Sequence, residues 1–258
     1  MTPPVKRGIS LRAVAPNAVT ALALCFGLTG IRFAISAVSE NPNPTDWERA
    51  IGAIVIAGLL DGLDGRIARL LKGESRFGAE LDSLSDVIAF GVSPALIIYL
   101  WSLQHFPKFG WICALMLAVC CALRLARFNA AIDAEEQPHK SAGFFTGIPA
   151  PAGAGLAFTP LYLWIVTGDD LFRNPALVAP WVVFVAALMI SNIATYSWGS
   201  VRLRRTIRLE VILAVALVGV ALFSEPWITL IGISLVYLLL IPFSIRSYAK
   251  VRAARRDA

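Results

Sequence analysis

LLDGLDGRIARLLKGESRFGAELDSLSDVIAFG, residues 59–91, places four aspartates within apolar, helix-like sequence. Asp61 and Asp64 are three residues apart, and Asp82 and Asp86 are four apart, so each pair projects from one face of a helix. A charge at the centre of a membrane helix costs about 2.5–3.5 kcal/mol. Because four such charges need compensation, the spacing predicts that the carboxylates converge between two neighbouring antiparallel helices.

The whole chain has the composition of an integral membrane protein. Of its 258 residues, 57% are hydrophobic and 16% are charged, and the mean hydropathy is +0.70. Apolar runs of about 20 residues recur along the chain, each long enough to cross a bilayer. We therefore predict an all-α, polytopic helical bundle forming a single domain, 1–258. Its eight predicted transmembrane helices are 17–38, 48–71, 80–104, 110–131, 149–168, 178–199, 209–224 and 226–246.

The basic residues predict the orientation of these helices. Nineteen of the 23 Lys and Arg residues fall on one side of the predicted arrangement, and positive charge in short loops is retained at the cytoplasm. Both termini and the aspartate-rich segment are thus expected at the cytoplasmic face of the cell (inner) membrane. The net charge of +6, including the basic tail 247–258, then reflects topology and anionic lipid, with no nucleic acid as a partner.

The depth of the aspartates can be counted from two tryptophans. Asp61 follows Trp47, a predicted interface residue, by 14 residues, which is about 21 Å of helix. Asp86 precedes Trp101 by 15 residues, or about 22 Å. Both pairs are therefore expected at one level near the cytoplasmic boundary, where lipid headgroups and water-soluble molecules meet.

Oxygen donors without His or Cys favour Mg²⁺, Mn²⁺ or Ca²⁺ over zinc or copper. Gly62, Gly65 and Gly78 leave bare backbone beside the carboxylates, which allows either close helix packing or a phosphate-bearing substrate bridged by the metal. The alternative is that the aspartates are ordinary juxtamembrane charges paired with basic neighbours. Those neighbours are Arg66, Arg69, Lys72 and Arg76.

The pattern Asp61-x2-Asp64-Gly65-x2-Ala68-Arg69-x8-Gly78-x3-Asp82-x3-Asp86 resembles, without departure, the signature of the CDP-alcohol phosphatidyltransferase family. The resemblance implies an enzyme in which an alcohol displaces CMP from a CDP-linked lipid. It also implies two bound divalent metal ions, either Mg²⁺ or Mn²⁺, and a homodimer.

The same resemblance implies roles for individual residues. Asp61, Asp64 and Asp82 would ligate metal, and Asp86 would be either a ligand or the general base for the incoming hydroxyl. The residues implied to border or hold the CDP moiety are Gly62, Gly65, Ala68, Arg69 and Gly78.

Four further stretches are similar to the serine-using branch of this family. They are PNAVTALALCFGLTGIRFA (Pro16–Ala34), FGVSPA (Phe90–Ala95), ALRLARFNA (Ala122–Ala130) and GFFTGIPAPAGAG (Gly143–Gly155). This resemblance covers residues 16–155 and implies CDP-diacylglycerol and L-serine as substrates, with phosphatidylserine and CMP as products. Residues 156–246 add transmembrane helices without a motif.

Three polar residues in the third of these stretches, Ala122–Ala130, are candidates for binding the acceptor. Arg124, Arg127 and Asn129 would receive the serine carboxylate, since Arg matches carboxylate geometry. They would equally suit the substrate diphosphate or a lipid phosphate, and the arginines would also suit simple interfacial snorkelling.

Two rival functions remain open in the sequence. The first keeps the chemistry but uses glycerol 3-phosphate, inositol, inositol phosphate or choline as the acceptor. The second is an ion-coupled transporter, because acidic residues within the membrane often mark ion paths. A transporter would spread its acids through the membrane depth or carry internal repeats, whereas here they cluster at one interface.

Overall fold

The computed structural model describes residues 11–71, 75–132, 144–196 and 208–256. The chain divides into two compact units, Met1–Ile97 and Ile98–Ala258. Both are built almost wholly from helices, as the composition predicts. Lys72 and residues 197–199 at the end of the sixth predicted span lie outside the described residues.

The first unit contains the aspartate-rich segment. Its elements are α1 (Leu11–Ala37), α2 (Asp46–Leu71), α3 (Arg76–Asp86), a π-helical segment (Val87–Val92) and the start of α4 (Ser93–Trp101). α1 packs along α2. At Gly30 the two helices approach so closely that a Cβ would lie 3.0 Å from the Ala50 carbonyl oxygen.

The π-helical segment follows Asp86 directly and was not predicted from the sequence. Pro94 has no backbone N–H, and its ring would clash with the carbonyl four residues earlier in a regular helix. The helix before Pro94 therefore has a wider, π-helical turn, in which the Ser93 N–H donates to the Ile88 carbonyl five residues back. A Cβ at Gly27 would lie 2.9 Å from the Ala89 Cα, so α1 also packs closely against this segment.

The second unit begins within α4. It continues with a 3₁₀ turn (Leu103–His105), α5 (Phe109–Ile132), β1 (Phe144–Thr146), α6 (Ala150–Ala157), α7 (Thr159–Thr167), a 3₁₀ turn (Asp170–Arg173), α8 (Pro175–Ile190), β2 (Ala194–Tyr196), α9 (Arg208–Ser224) and α10 (Pro226–Arg256).

The helical fold of the second unit also contains a short antiparallel ribbon of two three-residue strands. β1 pairs with β2 in the register Phe144↔Tyr196, Phe145↔Thr195 and Thr146↔Ala194. The sixth predicted span therefore ends at Ile190, because Ser191 is extended and the chain then turns back as a strand. Gly147 follows β1 with φ +73°, and a Cβ there would lie 2.6 Å from the Met189 carbonyl oxygen, so the turn requires glycine.

The fifth predicted span is interrupted between α6 and α7. Pro160 cannot donate to the carbonyl of Leu156, which would be its partner in a continuous helix. That carbonyl instead accepts hydrogen bonds from the Thr159 hydroxyl at 2.8 Å and the Trp181 indole at 2.8 Å. Side chains thus satisfy a backbone group that the proline leaves free.

Within the described ranges, five helices are long and apolar enough to cross a membrane. They are Val14–Ala37, Arg76–Trp101, Phe109–Ala130, Ala150–Thr167 and Pro226–Tyr248, with shorter apolar helices at Pro175–Ile190 and Leu209–Ser224. α2 is long enough, but its charged residues interrupt the apolar run. The chain is an integral membrane protein, and the count of eight spans stays a prediction.

Candidate active site

Three of the four aspartates form a compact carboxylate cluster. Asp61 and Asp64 come from α2 and Asp82 from α3. One carboxylate oxygen from each lies within 4.8 Å of the other two. This is the convergence between two helices that the i, i+3 and i, i+4 spacing predicts.

Asp86 lies one turn beyond Asp82 on α3 and outside that group of three. Its carboxyl faces Asp61 closely enough for the two side chains to interact directly. Two ionised carboxylates at such a distance repel each other unless a proton or cation lies between them. The site is therefore built to attract positive charge.

The cluster of Asp61, Asp64 and Asp82 fits a hard divalent cation. Oxygens bound about 2.1 Å from one Mg²⁺ lie up to about 4.2 Å apart, so small rotamer changes would bring all three carboxylates onto a single ion. The donor set contains only oxygen, as Mg²⁺ and Mn²⁺ prefer.

Pairing with neighbouring arginines does not account for these aspartates. Within the part of the chain that the structure describes, which excludes Lys72, no ion pair joins the four carboxylates to Arg66, Arg69 or Arg76. The Arg69 side chain is exposed, and its Nε–H donates to the Gly65 carbonyl of its own helix at 3.0 Å. The charge-pairing alternative is thus unsupported for these three arginines.

The three glycines of the signature have different surroundings. Around Gly62 and Gly65, a Cβ would meet no atom within 4 Å. At Gly78 a Cβ would lie 2.7 Å from the Asn17 side-chain oxygen and 3.2 Å from the Ser75 hydroxyl. Gly62 and Gly65 therefore border open space, whereas Gly78 allows α1 to approach α3.

The start of α3 is fixed by a cap. Ser75 has extended backbone geometry, and its hydroxyl accepts a hydrogen bond from the Gly78 N–H at 3.0 Å. Such a cap typically stabilises a helix by about 1 kcal/mol. Asp82 and Asp86, four residues apart, then share one face of α3, and their carboxylates lie near those of α2.

Comparison with known proteins gives two family matches. Residues 13–193, more than half of the chain, match the family described as CDP-alcohol phosphatidyltransferase. Residues 206–242 match a second family, described as CDP-alcohol phosphatidyltransferase 2.

The chain belongs to the CDP-alcohol phosphatidyltransferase family. The resemblance seen in the aspartate signature is confirmed.

Curated relatives of this CDP-alcohol phosphatidyltransferase carry one name. A protein of Mycobacterium bovis is 37% identical over 94% of this chain and 81% of its own length. A protein of Mycobacterium leprae is 38% identical over 95% and 78%, and one of Helicobacter pylori is 33% identical over 80% and 81%. Each is named CDP-diacylglycerol–serine O-phosphatidyltransferase.

Two residues beside the carboxylate cluster have no role in the sequence analysis, namely Thr20 and Ser85. The Thr20 hydroxyl on α1 lies 2.6 Å from Asp64 Oδ2. The Ser85 hydroxyl on α3 donates to the Thr20 carbonyl at 3.3 Å. The available signal was the stretch Pro16–Ala34, which resembled the serine-using branch but suggested no chemistry for Thr20.

The three acceptor candidates lie on α5, in the second unit. Arg124 is 9% exposed, and its charge acts on the nearby hydroxyl of Tyr237. Arg127 instead holds the end of α8, donating to the Ile190 carbonyl at 3.0 Å, the Asn192 side-chain oxygen at 2.8 Å and the Ser191 carbonyl at 3.1 Å. Asn129 lies half-buried near the end of α5.

Proposed function

We propose that this phosphatidyltransferase moves the phosphatidyl group of CDP-diacylglycerol to the hydroxyl of L-serine, giving phosphatidylserine and CMP. The observation that carries the proposal is the cluster of Asp61, Asp64 and Asp82 with Asp86 beside it, set in the family signature. The names of the relatives, which match across most of the chain, support serine as the acceptor.

Asp61, Asp64 and Asp82 would hold two divalent metal ions, either Mg²⁺ or Mn²⁺. Asp86 would be available as a further ligand. When bound, this metal supplies positive charge to the diphosphate and to the departing CMP. An all-carboxylate donor set suits both ions.

Asp86 is the proposed general base. Its carboxylate takes the proton of the serine hydroxyl while the serine oxygen forms a bond to the phosphorus of the phosphatidyl group. The bond between that phosphorus and the bridging diphosphate oxygen breaks, and CMP leaves with the electron pair. The half-buried position of Asp86 at the edge of the carboxylate cluster leaves it accessible to an incoming hydroxyl.

The CDP moiety is proposed to lie along the face of α2 and α3 that the signature lines. Gly62 and Gly65 border open space there, and Ala68 adds only a methyl group. Gly78 on α3 faces Asn17 of α1, so its proposed contribution to the CDP site is to let α1 approach α3 closely. Arg69 is exposed, so its guanidinium is free to exchange the Gly65 carbonyl for a substrate phosphate.

Arg124, Arg127 and Asn129 stay the candidates for binding the serine carboxylate or a phosphate. Among them we favour Arg124, because both terminal nitrogens of the Arg127 guanidinium already donate hydrogen bonds to the end of α8. Arg124 is buried, and the paired donors of a guanidinium match the charge and geometry of a carboxylate.

We also propose a membrane topology and an oligomeric state for the enzyme. Eight transmembrane helices within one membrane domain would place both termini and the aspartates at the cytoplasmic face of the cell (inner) membrane. The excess of Lys and Arg on one side supports that orientation. The enzyme would act as a homodimer, with CDP-diacylglycerol, L-serine and membrane lipid as its partners.

A panel of acceptors tests the proposed reaction. Purified protein is incubated with CDP-diacylglycerol, Mg²⁺ or Mn²⁺, and one alcohol at a time: L-serine, glycerol 3-phosphate, inositol, inositol phosphate or choline. We expect CMP release that depends on serine, with phosphatidylserine as the lipid product. Release with another alcohol alone would keep the metal site and overturn the serine assignment.

A further inference from the structure

Thr20, a polar residue of α1, reaches the carboxylate cluster. It is 5% exposed, and Asp64 is also 5% exposed. The Thr20 Oγ1 to Asp64 Oδ2 distance of 2.6 Å is short for a hydroxyl hydrogen bond. Bonds to a charged acceptor are both shorter and stronger than neutral ones.

The Thr20 hydroxyl has one proton and two acceptors in reach. Pro16, one turn earlier on α1, offers its carbonyl at 3.2 Å, against 2.6 Å for the Asp64 carboxylate. Since a hydroxyl donates only once, the shorter, charge-assisted bond to Asp64 takes the proton. The hydroxyl is therefore committed to the aspartate rather than to its own helix.

The position of Thr20 is itself held by α3. The Ser85 hydroxyl, 3% exposed, donates to the Thr20 carbonyl from the residue next to Asp86. One turn before Thr20, the Asn17 side chain occupies the place where a Cβ at Gly78 would lie. α1 is thus fixed against the helix that carries Asp82 and Asp86, and Thr20 can hold Asp64 in register with them.

We propose that Thr20 is a positioning residue that orients the Asp64 carboxylate for the divalent cation, which makes α1 part of the active site. The proposal rests on the function proposed above. The hydrogen bond to Oδ2 restrains rotation of the carboxylate, whose remaining lone pairs are then available to a cation shared with Asp61 and Asp82. Carboxylates that bind metals commonly depend on such outer partners.

Mn²⁺ binding to the purified full-length protein in lipid nanodiscs, without substrate, tests this role. The free Mn²⁺ signal is followed by electron paramagnetic resonance during titration. Thr20→Val keeps the shape but removes the hydroxyl, and should weaken Mn²⁺ binding by about 10-fold or more. Thr20→Ser retains a hydroxyl and should bind nearly as wild type does.

Thr29 provides a matched control on the same helix. Its hydroxyl donates to the Cys25 carbonyl four residues back on its own helix, at 2.6 Å, so Thr29→Val should leave Mn²⁺ binding unchanged. In the activity assay, Thr20→Val should raise the Mn²⁺ concentration needed for half-maximal rate, while saturating Mn²⁺ restores most of kcat. A purely structural loss would lower kcat at every Mn²⁺ concentration.

The outcomes separate this proposal from the proposed function. Wild-type affinity in Thr20→Val, or an equal loss in Thr29→Val, would overturn the role of Thr20 and leave the metal site intact. Failure of the wild-type protein to bind Mn²⁺ would overturn the metal site itself. If Thr20→Val does not fold, Thr20→Ala in the same titration decides, with Thr20→Ser as the variant that should recover binding.

Discussion

Asp64 and Asp86 are both aspartates, but their side chains have different surroundings. Asp64 is nearly fully buried and accepts the Thr20 hydroxyl, so its carboxylate has a fixed orientation. Asp86 is half-buried and faces Asp61 at the edge of the cluster. A metal ligand benefits from fixed geometry, whereas a general base must reach a mobile hydroxyl. The surroundings of each residue thus match its proposed role.

Gly62 and Gly65 allow a test of where the CDP moiety lies. A Cβ at either position meets no protein atom within 4 Å, so Gly62→Ala and Gly65→Ala should not lower thermal stability in detergent. If the CDP moiety occupies that space, each added methyl group should lower kcat/KM for CDP-diacylglycerol by about tenfold, or about 1.4 kcal/mol. Steady-state CMP release measures the effect.

Gly52 is the matched control for these two glycines. It lies on the same helix, and a Cβ there also meets nothing within 4 Å, but it is outside the signature. Gly52→Ala should therefore leave both stability and kcat/KM close to wild type. Unchanged kinetics in Gly62→Ala and Gly65→Ala would place the CDP moiety elsewhere.

At the scale of elements, the end of α8 depends on α5. The Arg127 guanidinium donates to three acceptors at residues 190–192, a geometry that the single ammonium of Lys cannot reproduce. Arg127→Lys should lower the free energy of unfolding by about 1–3 kcal/mol, measured by thermal unfolding in detergent. Arg246→Lys, at an exposed arginine on α10, is the control and should have no effect.

The same variant distinguishes a structural from a substrate-binding role for Arg127. A structural role predicts lower stability with the KM for serine nearly unchanged. A higher KM for serine at wild-type stability would instead assign Arg127 to the acceptor, as one of the alternatives in the sequence analysis has it.

The ribbon of β1 and β2 depends on the turn at Gly147. Its φ of +73° and the nearby Met189 carbonyl leave no room for a Cβ. Gly147→Ala should destabilise the protein by more than about 1 kcal/mol, because a left-handed conformation alone costs about that much for an L-residue. Gly155→Ala, where a Cβ would meet nothing within 4 Å, should unfold at the wild-type temperature.

Helical periodicity predicted some of these elements better than others. The spacing of Asp61, Asp64 and Asp82 foretold their convergence, because a helix fixes which residues share a face. It could not foretell the π-helical segment, which arises from Pro94 acting on the turn before it. Nor could it foretell the contact between Thr20 and Asp64, since that depends on how α1 packs in three dimensions.

At the scale of the whole molecule, composition alone identified a membrane protein. The sixth predicted span nevertheless ran too far, because Ala194–Tyr196 is apolar enough to extend a helix but pairs with β1 instead. Hydropathy measures apolar character, and it does not predict pairing between strands that lie some 50 positions apart in the chain.

The predicted orientation can be tested by labelling single cysteines from one side of the membrane. In a variant without Cys25, Cys113, Cys120 and Cys121, the exposed Lys108 and Arg246 are replaced by Cys in turn. In intact cells an impermeant maleimide should label Lys108→Cys, which is predicted to lie outside. Arg246→Cys should react only after permeabilisation, and the reverse pattern would overturn the orientation.

Two asparagine variants test whether the aspartates have separate roles in metal binding and in proton transfer. CDP-diacylglycerol binding in the presence of Mn²⁺ and serine-dependent CMP release are measured in parallel on Asp86→Asn and Asp61→Asn. Asp86→Asn should abolish release while binding largely survives, because only the base is lost. Asp61→Asn should weaken the metal-dependent binding itself. Equal loss of binding in both variants would contradict the separate roles of Asp61 and Asp86. Turnover that persists in Asp86→Asn would contradict the role of Asp86 as general base.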